Sequence, residues 1–121
     1  MKQKHGIFKS FYFALKGIRF ALNERNFRIH LVAALLSIIL GILLNINTTE
    51  WLFVFICIGA VLSLEILNTI VESILDKLHP DVHPEIGRIK DLSAGAVLIA
   101  AITSIAIAFF IFVPKILIKL S

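Results

Sequence analysis

Three long apolar runs constrain the fold of this chain more than any other feature. Leu92 to Val113 contains twenty-two residues without a charge, and two similar runs precede it, at about residues 27–46 and 51–75. A helix of about 20 apolar residues crosses the ~30 Å hydrocarbon core of a bilayer. Hydrophobic residues make up 59% of the 121 positions, which is too many for a soluble domain of this size. The sequence therefore predicts an all-α integral membrane protein, with residues 1–121 forming a single domain.

Basic residues are concentrated before the first apolar run. Seven of the twelve Lys and Arg lie there: Lys2, Lys4, Lys9, Lys16, Arg19, Arg25 and Arg28. The predicted polar turn at residues 45–50 has none, whereas the predicted polar loop at residues 77–91 has three. The positive-inside rule then predicts a multi-pass protein of the bacterial inner (cytoplasmic) membrane, with a cytoplasmic N-terminus. The basic cluster favours anionic lipid headgroups, and no nucleic-acid partner is expected. No cleavable signal peptide is expected either, because the first apolar run begins only after about 28 residues.

Residues 7–22 are predicted to form an amphipathic helix that lies in the membrane interface. Apolar side chains recur every three or four residues along one side, at Phe8, Phe11, Leu15, Ile18 and Leu22. A second stripe has the same spacing and carries the basic residues, at Lys9, Tyr12, Lys16, Arg19 and Asn23. Aromatic and basic stripes side by side are typical of interfacial helices. A cytosolic helix packed on a partner is the alternative.

The flanking residues and small side chains of the spans predict how they begin and pack. Thr48 or Thr49 is expected to cap the second span, and Trp51 to anchor it at the interface. Pro114 is expected to end the third span. Small residues recur every four positions in two spans, which predicts close helix packing there: Ala33, Ser37 and Gly41, then Ala96, Ala100, Ser104 and Ala108.

A polar stripe closes the second apolar run. At 100° per residue, Glu65, Asn68, Glu72 and Asp76 fall on one helical face. Glu65 is expected ~21 Å beyond Trp51, within the far half of the bilayer, and Glu72 at ~31 Å, at its edge. An acid inside a span costs about 2.5–3.5 kcal/mol on insertion scales, so the stripe indicates a function. A soluble amphipathic helix is the alternative, and the fourteen uncharged residues before Glu65 argue against it.

The residue types in and around this stripe suit phosphoryl transfer. The sequence has neither of the common glycine-rich phosphate-binding motifs, so a nucleotide would have to be held through acids and Mg²⁺. Glu24 and Glu72 are suitable oxygen ligands for Mg²⁺ that carries phosphates. Glu65, at headgroup depth, suits a general base for a lipid hydroxyl. Asn68 can orient a phosphate or a metal ligand, and Lys90 can offset phosphate charge.

The stripe resembles the signature of the bacterial diacylglycerol kinase and undecaprenol kinase family of small membrane lipid kinases. Glu65, Asn68, Thr69, Glu72 and Asp76 match it, whereas Ile70 stands where the family usually has Ala or Ser. The resemblance implies that Glu65 is the base and that Glu24 and Glu72 hold Mg²⁺. It implies the following ATP contacts: Glu24, Asn68, Glu72, Asp81, His83, Lys90 and Asp91. It also implies contacts to the lipid substrate from Lys16, Arg28 and Glu65, and a homotrimer with shared active sites.

The same resemblance suggests a substrate. Phe27, Arg28 and His30 form a Phe-Arg-x-His pattern that is similar to the undecaprenol kinases, so undecaprenol is the expected lipid alcohol. Diacylglycerol is the alternative. A small proton-coupled transporter is a more distant alternative, and it would require carboxylates near mid-bilayer with a path to both sides. The acids here cluster toward one side.

Several residues have a second interpretation. Glu24 is equally well a surface residue, and Asp91 is equally well the N-cap of the third span. His79 and His83 are four residues apart, which suggests zinc, but two prolines interrupt a regular helix there. His30 lies just inside the first span, and the sequence leaves open whether it contacts a buried polar group or a headgroup.

Overall fold

The computed structural model describes residues 6–121, so Lys2 and Lys4 of the basic cluster lie outside the described residues. Four helices follow one another: α1 (Ile7–Ala21), α2 (Arg25–Leu43), α3 (Thr48–Leu78) and α4 (Pro84–Leu120). The last three are long and apolar enough to cross a membrane. The predicted all-α fold with three spans and a short N-terminal helix is confirmed.

α1 lies on the outside of the molecule. Apart from Ala21, all of its residues are exposed, including Phe8, Phe11 and Leu15 of the apolar stripe. The turn that follows α1 is fixed by Arg28, whose Nη1 donates hydrogen bonds of 3.0 Å to the carbonyls of both Leu22 and Asn23. These carbonyls lie at the end of a helix, where the backbone acceptors have no partner within the helix.

The turn between α2 and α3 shows that the cap prediction was wrong by one residue. Asn47, not Thr48 or Thr49, is the N-cap: its side chain accepts from the Glu50 N–H at 2.9 Å. The Glu50 carboxylate accepts from the Asn47 N–H at 3.0 Å, which completes a capping box. Just before it, Asn45 adopts a left-handed backbone conformation with φ of 54°, which asparagine tolerates better than most residues.

Trp51 packs across the turn against α2. A Cβ added at Gly41 would lie 2.8 Å from the Trp51 indole and 3.0 Å from the Ile46 side chain. Gly41 is buried, so its lack of a side chain is what allows the two helices to approach. Ile46 belongs to a small core with Val54, Ile111 and Phe112. The predicted small-residue packing face is thus observed at Gly41, whereas Ala33 is exposed.

α3 and α4 form the most extensive helix pair, and an ion pair joins them at each end. Glu50 pairs with Lys115 at 3.1 Å, and Asp76 pairs with Lys90. Along α3 the two acids are 26 residues apart, and along α4 the two lysines are 25 apart. Because antiparallel helices with nearly equal spacings meet at both ends, the two pairs fix the axial register of α3 and α4.

The connection between α3 and α4 is shorter than predicted. Residues 77–91 were expected to form a polar loop, but α4 begins at Pro84, which suits the first turn of a helix. His83 caps α4, with its Nδ1 accepting from the Glu85 N–H at 3.2 Å. Asp91 lies two turns inside α4, so its interpretation as the N-cap is wrong.

α4 also continues beyond Pro114, which was expected to end it. The helix runs on to Leu120 although proline lacks the N–H for one intrahelical hydrogen bond. Contacts on the following turn offset this loss: Lys115 pairs with Glu50, and Lys119 Nζ donates to the Leu43 carbonyl at 3.3 Å. Lys119 thereby satisfies an acceptor at the end of α2.

Candidate active site

Glu65 is the charged residue that the structure buries. Its exposed fraction is 3%, and that of Asn68, one turn further along α3, is 5%. Within residues 6–121 these are the two polar or charged residues that are buried. An isolated carboxylate is expensive to bury unless it is paired or hydrogen-bonded. The groups around Glu65 therefore decide what it can do.

His30 of α2 is the direct ionic partner of Glu65. Its Nε2 lies 3.7 Å from Glu65 Oε2. The Glu65 side chain is 5% exposed and that of His30 is 25% exposed, so the acid is the more deeply buried of the two. The sequence left two contacts open for His30, and the structure assigns it the buried polar one. Only the pairing of α2 with α3 reveals this, because the two residues are 35 positions apart.

Two further acids lie within electrostatic reach of Glu65. The charges of both Glu72 and Glu24 act on its carboxylate, with Glu72 the stronger of the two. Glu72 is two turns along α3 and half-buried. Glu24 occupies the N-cap position of α2, but its side chain makes no capping hydrogen bond. The expected base and the two expected Mg²⁺ ligands therefore lie near enough for their charges to interact, although within residues 6–121 they do not form a metal-binding group of three.

Asn68 carries an unused buried acceptor. Its Oδ1 is buried and has no hydrogen-bond partner among the described residues. Leaving such an atom unpaired costs about 1–3 kcal/mol. It lies on the same face as Glu65 and Glu72, where a donor or a cation bound with the nucleotide would satisfy it. Oxygen ligands of this kind suit Mg²⁺.

The donor set fits Mg²⁺ that arrives with phosphates. Within residues 6–121, no group of three or more His, Cys, Asp or Glu side chains is arranged to hold a metal ion. Mg²⁺ bound with a nucleotide commonly uses one or two carboxylates together with phosphate oxygens and water. Glu24 and Glu72 supply that number, and the unpaired Asn68 oxygen lies on the face between Glu65 and Glu72.

The other residues expected to contact ATP lie at the same end of the bundle but apart from this cluster. Lys90 pairs with Asp76, and that pair is largely exposed. Asp81 and His83 belong to the short connection between α3 and α4, and Asp91 is exposed on the third turn of α4. These four residues lie in the connection between α3 and α4 and in the first three turns of α4, and no contact joins them to Glu65 among the described interactions.

Besides Glu65, the two other residues expected to contact the lipid have local contacts in the structure. Arg28 holds the turn after α1. Lys16 lies on α1 with its Nζ 6.0 Å from the centroid of the Phe20 ring. Ile70, the departure from the family pattern, is 46% exposed, so within this chain it does not crowd Glu65 or Asn68.

An apolar cavity of about 230 Å³ lies beside the cluster, between α2, α3 and α4. His30 is part of its wall. Small side chains widen it, including Ala34, Ser37, Ser104 and Ala108. On α3 its wall runs from Val54 to Leu62, which is ~5–16 Å deeper along the helix than Glu65. On α3 the cavity therefore begins about one turn from Glu65 and extends ~12 Å further along the helix, away from Asp76.

A carboxylate that is buried among three candidate spans, beside a histidine and one turn from an apolar cavity, defines a membrane protein with a functional polar site. Residues 12–112 match the family described as prokaryotic diacylglycerol kinase. The chain is 42% identical over 109 residues to the undecaprenol kinase of Bacillus subtilis (strain 168), covering 89% of each protein. It is 33% identical over 100 residues to the diacylglycerol kinase of Escherichia coli (strain K12), covering 82% of each. The chain therefore belongs to the prokaryotic diacylglycerol kinase family of membrane lipid kinases.

Proposed function

We propose that this lipid kinase transfers the γ-phosphoryl group of ATP to the hydroxyl of undecaprenol at the cytoplasmic face of the bacterial inner membrane. The observation that carries the proposal is the position of Glu65. It is a buried carboxylate, faced by His30, between the acids of the bundle end and an apolar cavity. A lipid alcohol whose tail fills the cavity would present its hydroxyl at this carboxylate.

In this proposal Glu65 is the general base. It accepts the proton of the lipid hydroxyl while the hydroxyl oxygen forms a bond to the γ-phosphorus. The bond from that phosphorus to the β-γ bridging oxygen breaks, and ADP leaves. Bound Mg²⁺ would offset charge on the phosphates. Glu24 and Glu72 are the residues that would hold it. The nucleotide would be positioned from the connection between α3 and α4 and the first turns of α4, by Asp81, His83, Lys90 and Asp91.

Two observations favour a polyprenol. The B. subtilis relative named undecaprenol kinase is 42% identical, against 33% for the E. coli relative named diacylglycerol kinase. The wall of the cavity includes the small side chains of Ala34, Cys57 and Ala108, which would leave room for branched isoprene units of the lipid tail. Diacylglycerol remains the second candidate because relatives with that name match most of the chain.

The proposal extends to assembly and orientation. A homotrimer is compatible with the many apolar side chains that a single chain leaves exposed on α2, α3 and α4. Arg19, Arg25 and Arg28 lie at the end of the bundle that also holds Glu24. The positive-inside rule would place that end in the cytoplasm, where ATP is available.

The test is a kinase assay on purified protein in mixed micelles with Mg-ATP, in which undecaprenol and dioleoylglycerol are compared as acceptors. Glu65→Gln keeps the shape of the side chain but removes the base. We expect it to lower lipid phosphorylation about 100-fold or more while the affinity for Mg-ATP stays within a few-fold. Glu72→Gln should instead weaken Mg-ATP binding. Glu85→Gln, an exposed acid in the first turn of α4, is the matched control.

The outcomes separate the parts of the proposal. Near-normal turnover of Glu65→Gln would show that Glu65 is not the base. Unchanged Mg²⁺ dependence of Glu72→Gln would show that Glu72 does not hold the metal ion. Faster phosphorylation of dioleoylglycerol than of undecaprenol would make diacylglycerol the substrate and leave the mechanism unchanged.

A further inference from the structure

Three charged or titratable side chains lie within electrostatic reach of Glu65: His30, which contacts it, and the acids Glu72 and Glu24. Glu72 and Glu24 repel a negative charge on its carboxylate, and His30 attracts it. A carboxylate that is 5% exposed cannot rely on water to stabilise its charge. A base must be ionised before it can accept a proton. The side chain of His30 is therefore the group that has to support the ionised form.

The geometry of His30 suits this task. Its Nε2 faces Glu65 Oε2 at 3.7 Å, which is an ion-pair distance just longer than a hydrogen bond. Contacts of this kind in ligand-free enzymes often tighten when the substrate binds. His30 also lines the apolar cavity, so it lies where the first carbons of a lipid tail would pass. His30 on α2 can thus donate to the Glu65 carboxylate on α3 and orient it toward the hydroxyl of a lipid whose tail occupies the cavity.

We propose that His30 is the positioning residue of this kinase: its Nε2 donates to Glu65 and holds that carboxylate oriented toward the lipid hydroxyl. The inference rests on the proposed role of Glu65 as the base. His30 acts through Glu65 and transfers no atom to the substrate. Its loss should therefore lower kcat and leave the KM values for ATP and for the lipid nearly unchanged.

Two amide substitutions test this with matched chemistry. In His30→Gln the side-chain nitrogen reaches nearly as far as Nε2 of histidine, so it can still donate to Glu65. In His30→Asn the same amide is one methylene shorter and falls short of Glu65. His30→Phe keeps a ring of similar size without a donor. Glu65→Gln is measured alongside, with undecaprenol and dioleoylglycerol as the acceptor lipids.

We expect His30→Gln to keep kcat within about fivefold of the unaltered protein, and His30→Asn and His30→Phe to lose about 100-fold. KM for ATP should stay within about threefold in all of them. Equal kcat for His30→Gln and His30→Asn, whether both are active or both inactive, would overturn the proposal, because a folding defect or a spectator role affects both amides alike.

The Glu65→Gln arm separates this inference from the proposed function. If Glu65→Gln is inactive while His30→Asn turns over normally, the base is right and the positioning role is wrong. If Glu65→Gln keeps turnover, the base assignment fails, and the positioning role fails with it. Loss in His30→Asn with recovery in His30→Gln and an inactive Glu65→Gln supports both.

Discussion

Replacing Gly41 with alanine should destabilise the bundle even though alanine is the better helix former. The added Cβ would lie 2.8 and 3.1 Å from two atoms of the Trp51 ring and 3.0 Å from Ile46 Cδ1. Favourable contacts between carbon atoms lie at about 3.5–4.0 Å, so ring and side chain would have to move by roughly half an ångström or more. Overpacking of this kind costs about 1–3 kcal/mol.

The gain in helix propensity from alanine opposes this cost and is smaller. Alanine gains up to about 1 kcal/mol over glycine in a helix interior, and Gly41 is in the last turn of α2, where the gain is reduced. The Trp51 ring cannot yield freely because it stacks on Phe55, with centroids 5.5 Å apart. Ile46 is also fixed, since it is buried in the small core. We therefore expect Gly41→Ala to lower the free energy of unfolding by about 1–2 kcal/mol.

Gly59 is the matched control. It lies in the middle of α3, and an added Cβ there would meet no atom within 4 Å. Gly59→Ala should be neutral or stabilising, by up to about 1 kcal/mol. Trp51 is the single tryptophan of the chain, so its emission reports directly on the altered contact. Unfolding by SDS in mixed micelles, followed by Trp51 emission and far-UV circular dichroism, gives both free energies. Equal stability of the two variants, with unchanged Trp51 emission, would refute the reasoning.

Three further predictions concern the cap of α3, the Glu50–Lys115 ion pair and the topology of the chain. Asn47→Ala removes the capping box and should cost about 1 kcal/mol in the same unfolding assay, whereas Thr48→Ala should cost little; the reverse order would contradict the assigned cap. Lys115→Gln leaves the half-buried Glu50 without its cation and should cost about 1 kcal/mol or more; an unchanged midpoint would show that the pair contributes nothing. A reporter active only in the cytoplasm and fused to Ser121 should give no signal, because three spans place the two chain ends on opposite sides; a strong signal would contradict the three-span topology.

The elements were predictable from the sequence because they depend on local composition. Apolar runs of membrane-spanning length and the 3.6-residue period gave the three spans and the polar face of α3. The ends were less predictable. Asn47, not Thr48, is the cap because its side chain and that of Glu50 satisfy each other's N–H groups. Pro114 stays inside α4 because contacts from other helices hold the turns beyond it.

The partner of Glu65 was not predictable from periodicity. The contact with His30 depends on the rotation of α2 about its axis and on the height at which α2 meets α3. Neither quantity is encoded in the spacing of apolar residues within one helix. A polar residue just inside an apolar span was the available signal, because such residues are usually paired. That signal left open whether His30 contacts a buried polar group or a lipid headgroup.

The two ends of the bundle are held differently, and the difference decides which contacts fix the position of Glu65 along the bundle. At the end opposite Glu65, the helices are held by the Glu50–Lys115 pair, by Lys119 on the Leu43 carbonyl and by the core around Ile46. These contacts include all three spans and resist both sliding and separation.

At the end near Glu65, α3 and α4 are joined by the exposed pair of Asp76 and Lys90, which is worth at most about 1 kcal/mol. Glu65 lies eleven residues inside Asp76, or ~16 Å along the helix. Phe27 and Val97 are nevertheless buried in this half of the bundle, as are Glu65 and Asn68 themselves. Packing therefore holds this half of the bundle more than the exposed ion pair does. The ion pair and the lysine–carbonyl hydrogen bond at the opposite end act together with this packing to keep the register of α3 and α4, and with it the position of Glu65 along the bundle.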